Sequence, residues 1–282
     1  MAVHVITDST ASLPAEICSE LGIEIISLWI HFGDATYKDT EIDHAFFYDK
    51  LRSARVLPTS SQPAPVDFYN AFTRSITEGH SVVTVLLSSH LSGTYATAVS
   101  ARLEVLKKHP DAQIAVFDSG HCSMSLGLIA MAAAQAAKEG DSFDTVVEKT
   151  SQCAASVRFY FSPNTLDYLQ KGGRIGFAAS LVGNMLKIQP VLTVEAGKVA
   201  IFRKVRGSHA VVDTMLHQME TDHREFGIKQ VAVQHIEKPK LAEIVAGEVR
   251  RRFGVEPIIV PIGAVIGTHV GPGAIGVAYT VG

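Results

Sequence analysis

Ser81-Val-Val-Thr-Val-Leu-Leu-Ser-Ser-His-Leu-Ser-Gly-Thr94 joins an apolar segment to a hydroxyl-rich one and is the clearest sign of the fold class. Its first half, Ser81–Leu87, is an apolar run rich in β-branched residues, which is typical of a buried strand. The hydroxyl-rich segment Ser88–Thr94 leads into Ala96–Leu106, where apolar residues recur at helical spacing. A strand, a short polar turn and an amphipathic helix in succession predict one β–α unit of an α/β fold.

The same pattern repeats through the first half of the chain. Further apolar runs of strand length are Val3–Thr7, Ile23–Ile30 and Gln113–Phe117. Helical patterns lie between them, so the alternation predicts a mostly parallel sheet with helices on its faces. Asp8 and Asp118 each follow a strand directly, as Ser88 does. Because ligands of such sheets bind beyond the carboxyl ends of the strands, we expect these polar groups along one edge.

The second half alternates less regularly and predicts an α+β domain. Its apolar runs of strand length are Val157–Phe161, Pro190–Val194, Lys198–Phe202, Lys229–His235, Glu256–Pro261 and Ile275–Val281. Ser162-Pro163 has the pattern of a helix start, and Gly172-Gly173 that of a helix end. We therefore expect an N-terminal α/β domain over residues 1–155 and a C-terminal α+β domain over residues 156–282.

The composition excludes several classes of protein. A net charge of −3 leaves no basic excess for binding nucleic acid. Three cysteines without a CxxC pair predict buried thiols in a reducing compartment. The start of the chain shows no secretory pattern, and the uncharged stretch Leu126–Ala137 is too short to span a bilayer. From these features we expect a soluble, cytoplasmic protein.

Two hydroxyl-rich segments are candidates for binding an anion. Pro58–Pro63 places Thr59, Ser60 and Ser61 in a stiff loop between prolines, although a solvated turn explains the same composition. Ser88–Thr94 precedes a helix, where unpaired backbone amides form an anion site, but Ser92 or Thr94 can equally serve as a simple N-cap. The segment lacks the lysine and the spacing of a P-loop.

Two glycine-rich segments complete the candidates. Tyr168–Ile175 ends in Gly172-Gly173-Arg174, in which Arg174 either meets a partner or is a solvated residue after a helix end. Gly267–Ala274 places His269 in what resembles a glycine-rich turn, from which one ring nitrogen can donate to a carboxylate or phosphate. A structural or solvated histidine is the alternative.

Motifs of common enzymes and metal sites are missing. The chain contains no HExxH, CxxC, GxSxG or strand-linked GxGxxG pattern, so it predicts no metal and no cofactor. Ser92 and His269, with Asp8 or Asp118 as the orienting acid, are compatible with a nucleophile–base pair. A hydrolase or phosphoryl-transfer enzyme using His269 and these aspartates therefore stays as an alternative. A regulatory domain that binds a phosphorylated metabolite is another.

Five segments taken in order resemble the DegV family of bacterial lipid-binding proteins. They are Thr7-Asp8-Ser9, Thr59-Ser60-Ser61-Gln62-Pro63, Ser88-Ser89-x-Leu91-Ser92-Gly93-Thr94-Tyr95, Tyr168-Leu169-x-Lys171-Gly172-Gly173-Arg174-Ile175 and Thr268-His269-x-Gly271-Pro272-Gly273-Ala274. Each motif alone is weak, but five in order over nearly the whole chain are specific. The family pattern usually continues with Ser after Gln-Pro, whereas this chain has Ala64-Pro65, so one possible hydroxyl is lost.

The resemblance implies a two-domain α/β protein without catalytic activity of its own. One long-chain fatty acid would lie between the domains, with its acyl chain in an apolar tunnel. By motif, its carboxylate would contact Ser60 or Ser61, Ser92, the Gly93 amide and His269. The family includes the binding subunit of bacterial fatty acid kinase, whose separate ATP-binding subunit converts the bound carboxylate to an acyl phosphate.

Arg174 lies in a segment that resembles the family's partner-docking or head-group region. The resemblance therefore implies that Arg174 faces the kinase subunit, or an anionic membrane surface during a transient contact. Neutral donors would leave the carboxylate available for phosphoryl transfer. Burial of a C16 chain, at ~0.8 kcal/mol per methylene, is ample for tight retention after ordering costs.

Overall fold

The computed structural model describes residues 2–181 and 188–282, the side chain of Ser208 excepted. In chain order, the helices are α1 (Ala15–Leu21), α2 (His44–Ser53), α3 (Pro65–Thr77), α4 (Thr94–Lys108), α5 (Met124–Lys138), α6 (Phe143–Ser156), α7 (Asp167–Lys171), α8 (Ser208–Phe226), α9 (Pro239–Phe253) and α10 (Ala264–Val270). Short 3-10 helices span Ser9–Ala11 and Gly176–Leu181.

The strands alternate with these helices. They are β1 (Val3–Asp8), β2 (Ile23–Ile26), β3 (Trp29–Phe32), β4 (Ala35–Lys38), β5 (Thr59–Ser61), β6 (Ser81–Leu86), β7 (Ile114–Asp118), β8 (Val157–Ser162), β9 (Gln189–Glu195), β10 (Lys198–Val205), β11 (Ile228–His235), β12 (Ile258–Pro261) and β13 (Ile275–Val281). The chain divides into two compact units. Unit 1 is Met1–Ile42 with Pro58–Ala155, and unit 2 is Asp43–Leu57 with Ser156–Gly282.

Unit 1 is built on a four-stranded parallel sheet in the order β2-β1-β6-β7. Every residue of β6 is buried, which agrees with its continuous apolar sequence. Helices α3 and α4 pack on the sheet, where Phe68 and Phe72 contact the apolar side chains of β1 and β6. The predicted parallel sheet with flanking helices is confirmed.

Unit 1 also contains a small antiparallel sheet in the order β4-β3-β5, which the sequence did not predict. The run Ile23–Ile30, predicted as one strand, is two strands separated at Ser27-Leu28. The Leu28 amide donates to Ser9 Oγ (3.1 Å), while its carbonyl accepts from Asp39 N (2.9 Å). Because these bonds occupy the backbone of Leu28, the chain leaves the parallel sheet there and begins another.

Unit 2 is a six-stranded mixed sheet in the order β10-β9-β8-β13-β11-β12. All neighbours are antiparallel except β11 and β12. Strands β9 and β10 form a hairpin, with Ala196 and Gly197 of its turn at positive φ. Helices α8 and α9 pack on the sheet through a core that includes Met215, Met219, Val245 and Tyr279. The predicted α+β organisation is confirmed.

The segment Asp43–Leu57 belongs to unit 2, although the sequence placed it within a continuous first domain. Helix α2 buries Phe47 and Leu51 there. The Tyr48 hydroxyl donates to the Ile262 carbonyl (3.1 Å), and Arg52 forms an ion pair with Glu237 (2.6 Å). These residues lie far apart in sequence, so local patterns give no sign of their association.

The start of α7 also differs from its prediction. Ser162 is the last residue of β8, where it pairs with Ile275, and the helix begins at Asp167. Strand pairing in the sheet outweighs the helix-start pattern of Ser162-Pro163. Within the described ranges, no helix is both long and apolar enough to cross a membrane.

Candidate functional site

Asp8 ends β1 inside unit 1 and is completely buried. Its carboxylate accepts from Leu87 N (2.8 Å), Thr10 N (2.9 Å) and Thr10 Oγ1 (2.5 Å). Burial raises the pKa of Asp8 to about 6, against the lowering effect of these hydrogen bonds. The side chain therefore ties the end of β1 to the end of β6, and its acceptor sites are occupied by the protein.

Asp118 ends β7 and has a similar local function. Its Oδ1 accepts from Ser89 N (3.1 Å) and Gly120 N (3.0 Å), which orders the turns that follow two strands. Since β6 lies between β1 and β7, the strands carrying Asp8 and Asp118 are roughly 9–10 Å apart. Through these hydrogen bonds, both aspartates fix the backbone at the carboxyl edge of the sheet.

The segment Ser88–Thr94 leads to the start of α4, with Gly93 as the N-cap residue. Ser92 Oγ lies 2.9 Å from Thr94 Oγ1 and accepts from Thr94 N (3.3 Å). Backbone amides of a first helical turn have no acceptor within the helix, so they can donate to an anion. The N-capping and anion-binding interpretations of this segment are therefore compatible.

The structure brings the two hydroxyl-rich segments together. Gln62 lies so close to Gly93 that a Cβ at residue 93 would overlap its Oε1. Gln62 Nε2 also donates to Thr97 Oγ1 (2.7 Å) on the first turn of α4. A side chain at position 93 would displace the end of the Gln62 side chain, which is the contact between the two segments.

Strand geometry distinguishes the two candidate serines of β5. Ser60 pairs with Ile30, which is fully buried, so both lie on the inner face of the small sheet. Ser61 pairs with Trp29 on the opposite face, where its Oγ lies 2.8 Å from Nε2 of His31. The two hydroxyls therefore point in opposite directions, which the sequence alone could not show.

In unit 2, His269 lies in the last turn of α10 and not in the glycine-rich turn predicted for it. Helix α10 buries Ala264, Val265 and Val270; Gly267 lies within it, and only Gly271 and Gly273 follow its end. The imidazole packs directly on Gly172, where a Cβ would lie 2.5 Å from Nδ1 of His269. Residue 172 has an ordinary helical φ, so this packing is the reason for its glycine.

A second glycine contact joins the same two segments. A Cβ at Gly271 would overlap the ring of Tyr168, and φ of Gly271 is +76°. Gly172 and Gly271 thus each receive a ring from the other segment, which places Tyr168–Ile175 against Gly267–Ala274. The reciprocal packing fixes the orientation of His269.

Arg174 lies within this arrangement. Its guanidinium donates to the Gly172 carbonyl (2.7 Å), and the side chain is half-buried. Burial, together with the smaller effect of the nearby charge of Arg174, lowers the pKa of His269 to about 4. His269 is therefore a neutral imidazole at physiological pH, with one N–H to donate.

Other features of the described residues do not add to this site. A cavity of about 370 Å³ in unit 1 lies at the amino-terminal edge of the parallel sheet, lined by residues that include His80, Lys108 and Gln113. The six residues of β6 separate that edge from Ser88 by about 20 Å. Across residues 2–181 and 188–282, no group of three or more His, Cys, Asp or Glu side chains could hold a metal ion.

Comparison with known proteins identifies the family. The family model described as "Uncharacterised protein, DegV family" matches residues 2–281. The chain is 41% identical over 279 residues to a DegV domain-containing protein of Clostridium acetobutylicum, covering 99% of this chain and 98% of that protein. It is 30% identical over 283 residues to protein DegV of Bacillus subtilis, covering 99% of each.

Solved structures of proteins from three bacteria have the same fold. A DegV family protein from Thermus thermophilus, described with fatty acid binding, has a TM-score of 0.90 at 29% identity and covers 99% of this chain and 100% of its own. DegV of Bacillus subtilis, described as a fatty acid binding protein, gives 0.90 at 29% identity with both chains fully covered. A stearic acid-binding protein from Eubacterium ventriosum gives 0.90 at 25% identity, covering 99% of this chain and 98% of its own. From its sequence and its fold, this chain belongs to the DegV family.

Proposed function

We propose that this protein binds one long-chain fatty acid in an apolar tunnel and presents its carboxylate to a separate ATP-dependent kinase subunit. The observation that carries the proposal is His269, a neutral imidazole held in a fixed orientation by Gly172. The fatty acid binding described for DegV proteins from several bacteria supports it. The protein would act in the cytoplasm, where ATP is the phosphoryl donor.

The proposed head-group donors are Ser60, Ser92, the Gly93 amide and His269. Ser61 was an equal candidate from the sequence, but its hydroxyl contacts His31 on the other face of β5, so we favour Ser60. Each proposed donor is neutral. Arg174 supplies a positive charge near His269, while the N–H of the imidazole remains the proposed donor to the carboxylate. A carboxylate is thus attracted to unit 2 without being fixed in a direct ion pair.

The proposed transfer step needs a nucleophilic carboxylate. One carboxylate oxygen forms a bond to the γ-phosphorus of ATP, and the bond from that phosphorus to the β–γ bridging oxygen breaks. The electron pair leaves with ADP, and an acyl phosphate remains on this protein. Neutral donors orient the carboxylate while lowering its nucleophilicity less than a buried lysine would. The kinase subunit supplies ATP and its metal, and this protein supplies the acceptor.

Two geometric facts weigh against an enzyme that uses the strand-end aspartates. Asp8 is buried and accepts three hydrogen bonds from the protein, and Oδ1 of Asp118 accepts from two backbone amides. The proposal is tested with purified protein, palmitate and the ATP-binding subunit of a bacterial fatty acid kinase. We expect acyl phosphate, trapped with hydroxylamine, only when both proteins and ATP are present. Turnover of acyl or phosphoryl esters by this chain alone would contradict the carrier function.

A further inference from the structure

Helix α10, which carries His269, is only seven residues long. Helices of that length are marginal in water, so the position of α10 depends on the elements that pack against it. Within unit 2 these elements include α7 and α2. The end of α7 contacts the imidazole through Gly172. The proposed function assigns no role to α2, which lies far from α10 in sequence.

Tyr48 is the residue of α2 that fits directly against α10. Its side chain is buried. A Cβ at Gly267 would overlap the Tyr48 hydroxyl and would lie 2.9 Å from Cζ and 3.0 Å from Cε1 of the same ring. The three atoms nearest to that position therefore all belong to Tyr48. Glycine at residue 267 leaves the room that this ring occupies.

The Tyr48 hydroxyl also holds the chain where it enters α10. It donates to the Ile262 carbonyl (3.1 Å), and Ile262 directly precedes Gly263, the N-cap residue of the helix. Gly263 itself has no side chain with which to cap the helix. Its carbonyl accepts from Gly267 N (2.9 Å), which closes the first turn. Tyr48 therefore contacts both the entrance of α10 and the residue that ends its first turn.

Tyr48 and Gly172 contact opposite faces of α10. Gly267 and His269 are two residues apart, and an α-helix turns by about 100° per residue, so their side-chain directions differ by about 200°. The direction from Gly267 meets the ring of Tyr48, and the direction from His269 meets Gly172. Helix α10 is thus held between the two contacts, and His269 stays against Gly172 only while Tyr48 supports the opposite face.

We propose that Tyr48 is a positioning residue for His269, an inference whose consequence for the fatty acid rests on the proposed function. Tyr48 acts through α10 and does not itself touch the carboxylate. Without its ring and hydroxyl, the helix moves away from Gly172 and the imidazole loses its fixed direction. The excursion of Asp43–Leu57 into unit 2 then has a purpose, because it supplies the support for the helix that carries a proposed donor.

The test perturbs the contact from both sides. Tyr48→Leu removes the ring and the hydroxyl, whereas Tyr48→Phe removes the hydroxyl alone. Gly267→Ala crowds the same contact from α10. In the double variant Tyr48→Leu/Gly267→Ala, the space left by the ring accommodates the new methyl group, so part of the effect of Gly267→Ala should be reversed. Leu51→Ala is the control, because it also removes a buried side chain of α2 but not the atoms nearest to Gly267.

The readout is the imidazole of His269 itself. Protein labelled with ¹⁵N-histidine gives ring-nitrogen signals by NMR at neutral pH, and those of His269 are assigned by their loss in His269→Gln. We expect these signals to move in Tyr48→Leu and Gly267→Ala, to move less in Tyr48→Phe, and to return towards wild type in the double variant. Palmitate affinity should fall about tenfold in Tyr48→Leu and stay within about twofold of wild type in Leu51→Ala.

Unmoved His269 signals in folded Tyr48→Leu would overturn the positioning role. Equal movement in Leu51→Ala would also overturn it, because general loosening of α2 would then explain both results. If Tyr48→Leu does not fold, Tyr48→Phe and Gly267→Ala decide by the same criterion. Failure of the wild-type protein to bind palmitate would contradict the proposed function instead, and the nitrogen signals would still test the link between Tyr48 and His269.

Discussion

The imidazole of His269 packs against Gly172 so closely that a Cβ on residue 172 would lie 2.5 Å from Nδ1. The contact joins α10 to the end of α7, two elements that are nearly a hundred residues apart in sequence. It fixes the orientation of the ring that we propose as a carboxylate donor. Gly172 therefore matters for its lack of a side chain, in contrast to the more familiar role of glycine at positive φ.

Gly172→Ala should displace His269 and weaken fatty acid binding. The new methyl group would also lie 2.9 Å from the Tyr168 carbonyl, so movement of the ring is the easier relief. We expect a loss of about 1–3 kcal/mol in stability and a fall in palmitate affinity, measured by urea unfolding and calorimetry. Gly247→Ala is the control, because residue 247 lies in α9 with nothing within 4 Å of an added Cβ. Equal effects of both changes would argue against the packing role of Gly172.

Stability should depend on pH through His269. Its pKa is depressed from 6.5 to about 4, so the unfolded chain binds this proton more tightly than the folded one. The contribution is fully present above pH 6.5 and is lost as the pH falls towards 4, by up to about 3 kcal/mol. His269→Gln should remove this part of the pH profile of urea unfolding. An unchanged profile in that variant would contradict burial of a neutral histidine.

Asp8 should change the stability with pH in the opposite direction to His269, over nearly the same pH range. Its folded pKa is raised from 3.8 to about 6, so its contribution is present below pH 4 and is lost as the pH rises to 6. In Asp8→Asn one carboxylate oxygen becomes an NH2 group that cannot accept, so the bonds from Thr10 or the bond from Leu87 N are lost, and we expect about 1–3 kcal/mol of destabilisation at pH 7. Fatty acid affinity of the folded variant should stay near that of wild type. Loss of affinity with normal stability would instead make Asp8 part of the site.

The serines of β5 should differ in their effect on ligand affinity. Ser60→Ala and Ser92→Ala each remove a proposed donor to a buried carboxylate, which should cost on the order of 1–3 kcal/mol of affinity. Ser61→Ala serves as the control, because its hydroxyl contacts His31 on the opposite face of the small sheet. Calorimetry with palmitate on the three variants measures the difference. A larger loss for Ser61→Ala than for Ser60→Ala would reverse the assignment.

Arg174→Ala should raise the pKa of His269, because removal of a nearby positive charge favours the imidazolium. Titration of the histidine resonances by NMR measures this shift. If Arg174 also meets the kinase subunit, coupled acyl-phosphate formation should slow, and more so at low salt. Lys171→Ala is the control, since Lys171 is exposed and ends α7. An unmoved His269 resonance would contradict the electrostatic link between Arg174 and His269.

The parallel sheet was predictable because its signal is local. The strand β6 and the turn before α4 lie in one stretch, and burial on both faces of the sheet leaves a continuous apolar run. The small sheet was missed because β3, β4 and β5 are short half-buried strands, and β5 reads as a hydroxyl-rich loop. Strand β5 pairs with β3 although the segment Asp43–Leu57, which belongs to unit 2, lies between them in sequence.

The sequence singles out the residues of the candidate site but not their geometry. Glycines around His269 suggested a turn, whereas Gly267 lies inside α10 beside the ring of Tyr48. Glycine in a helix signals close packing as readily as it signals a turn, and only the partner distinguishes the two. The partners of Gly172 and Gly93 are likewise distant in sequence.

The central claim is that this chain holds one fatty acid. Native mass spectrometry of the purified protein, before and after incubation with palmitate or oleate, tests it most directly. We expect one fatty acid per chain, identified by mass in an organic extract, and reduced occupancy in His269→Ala and Ser92→Ala when both are folded. A chain that stays free of ligand after incubation, or that carries a phosphorylated metabolite in place of a fatty acid, would contradict it.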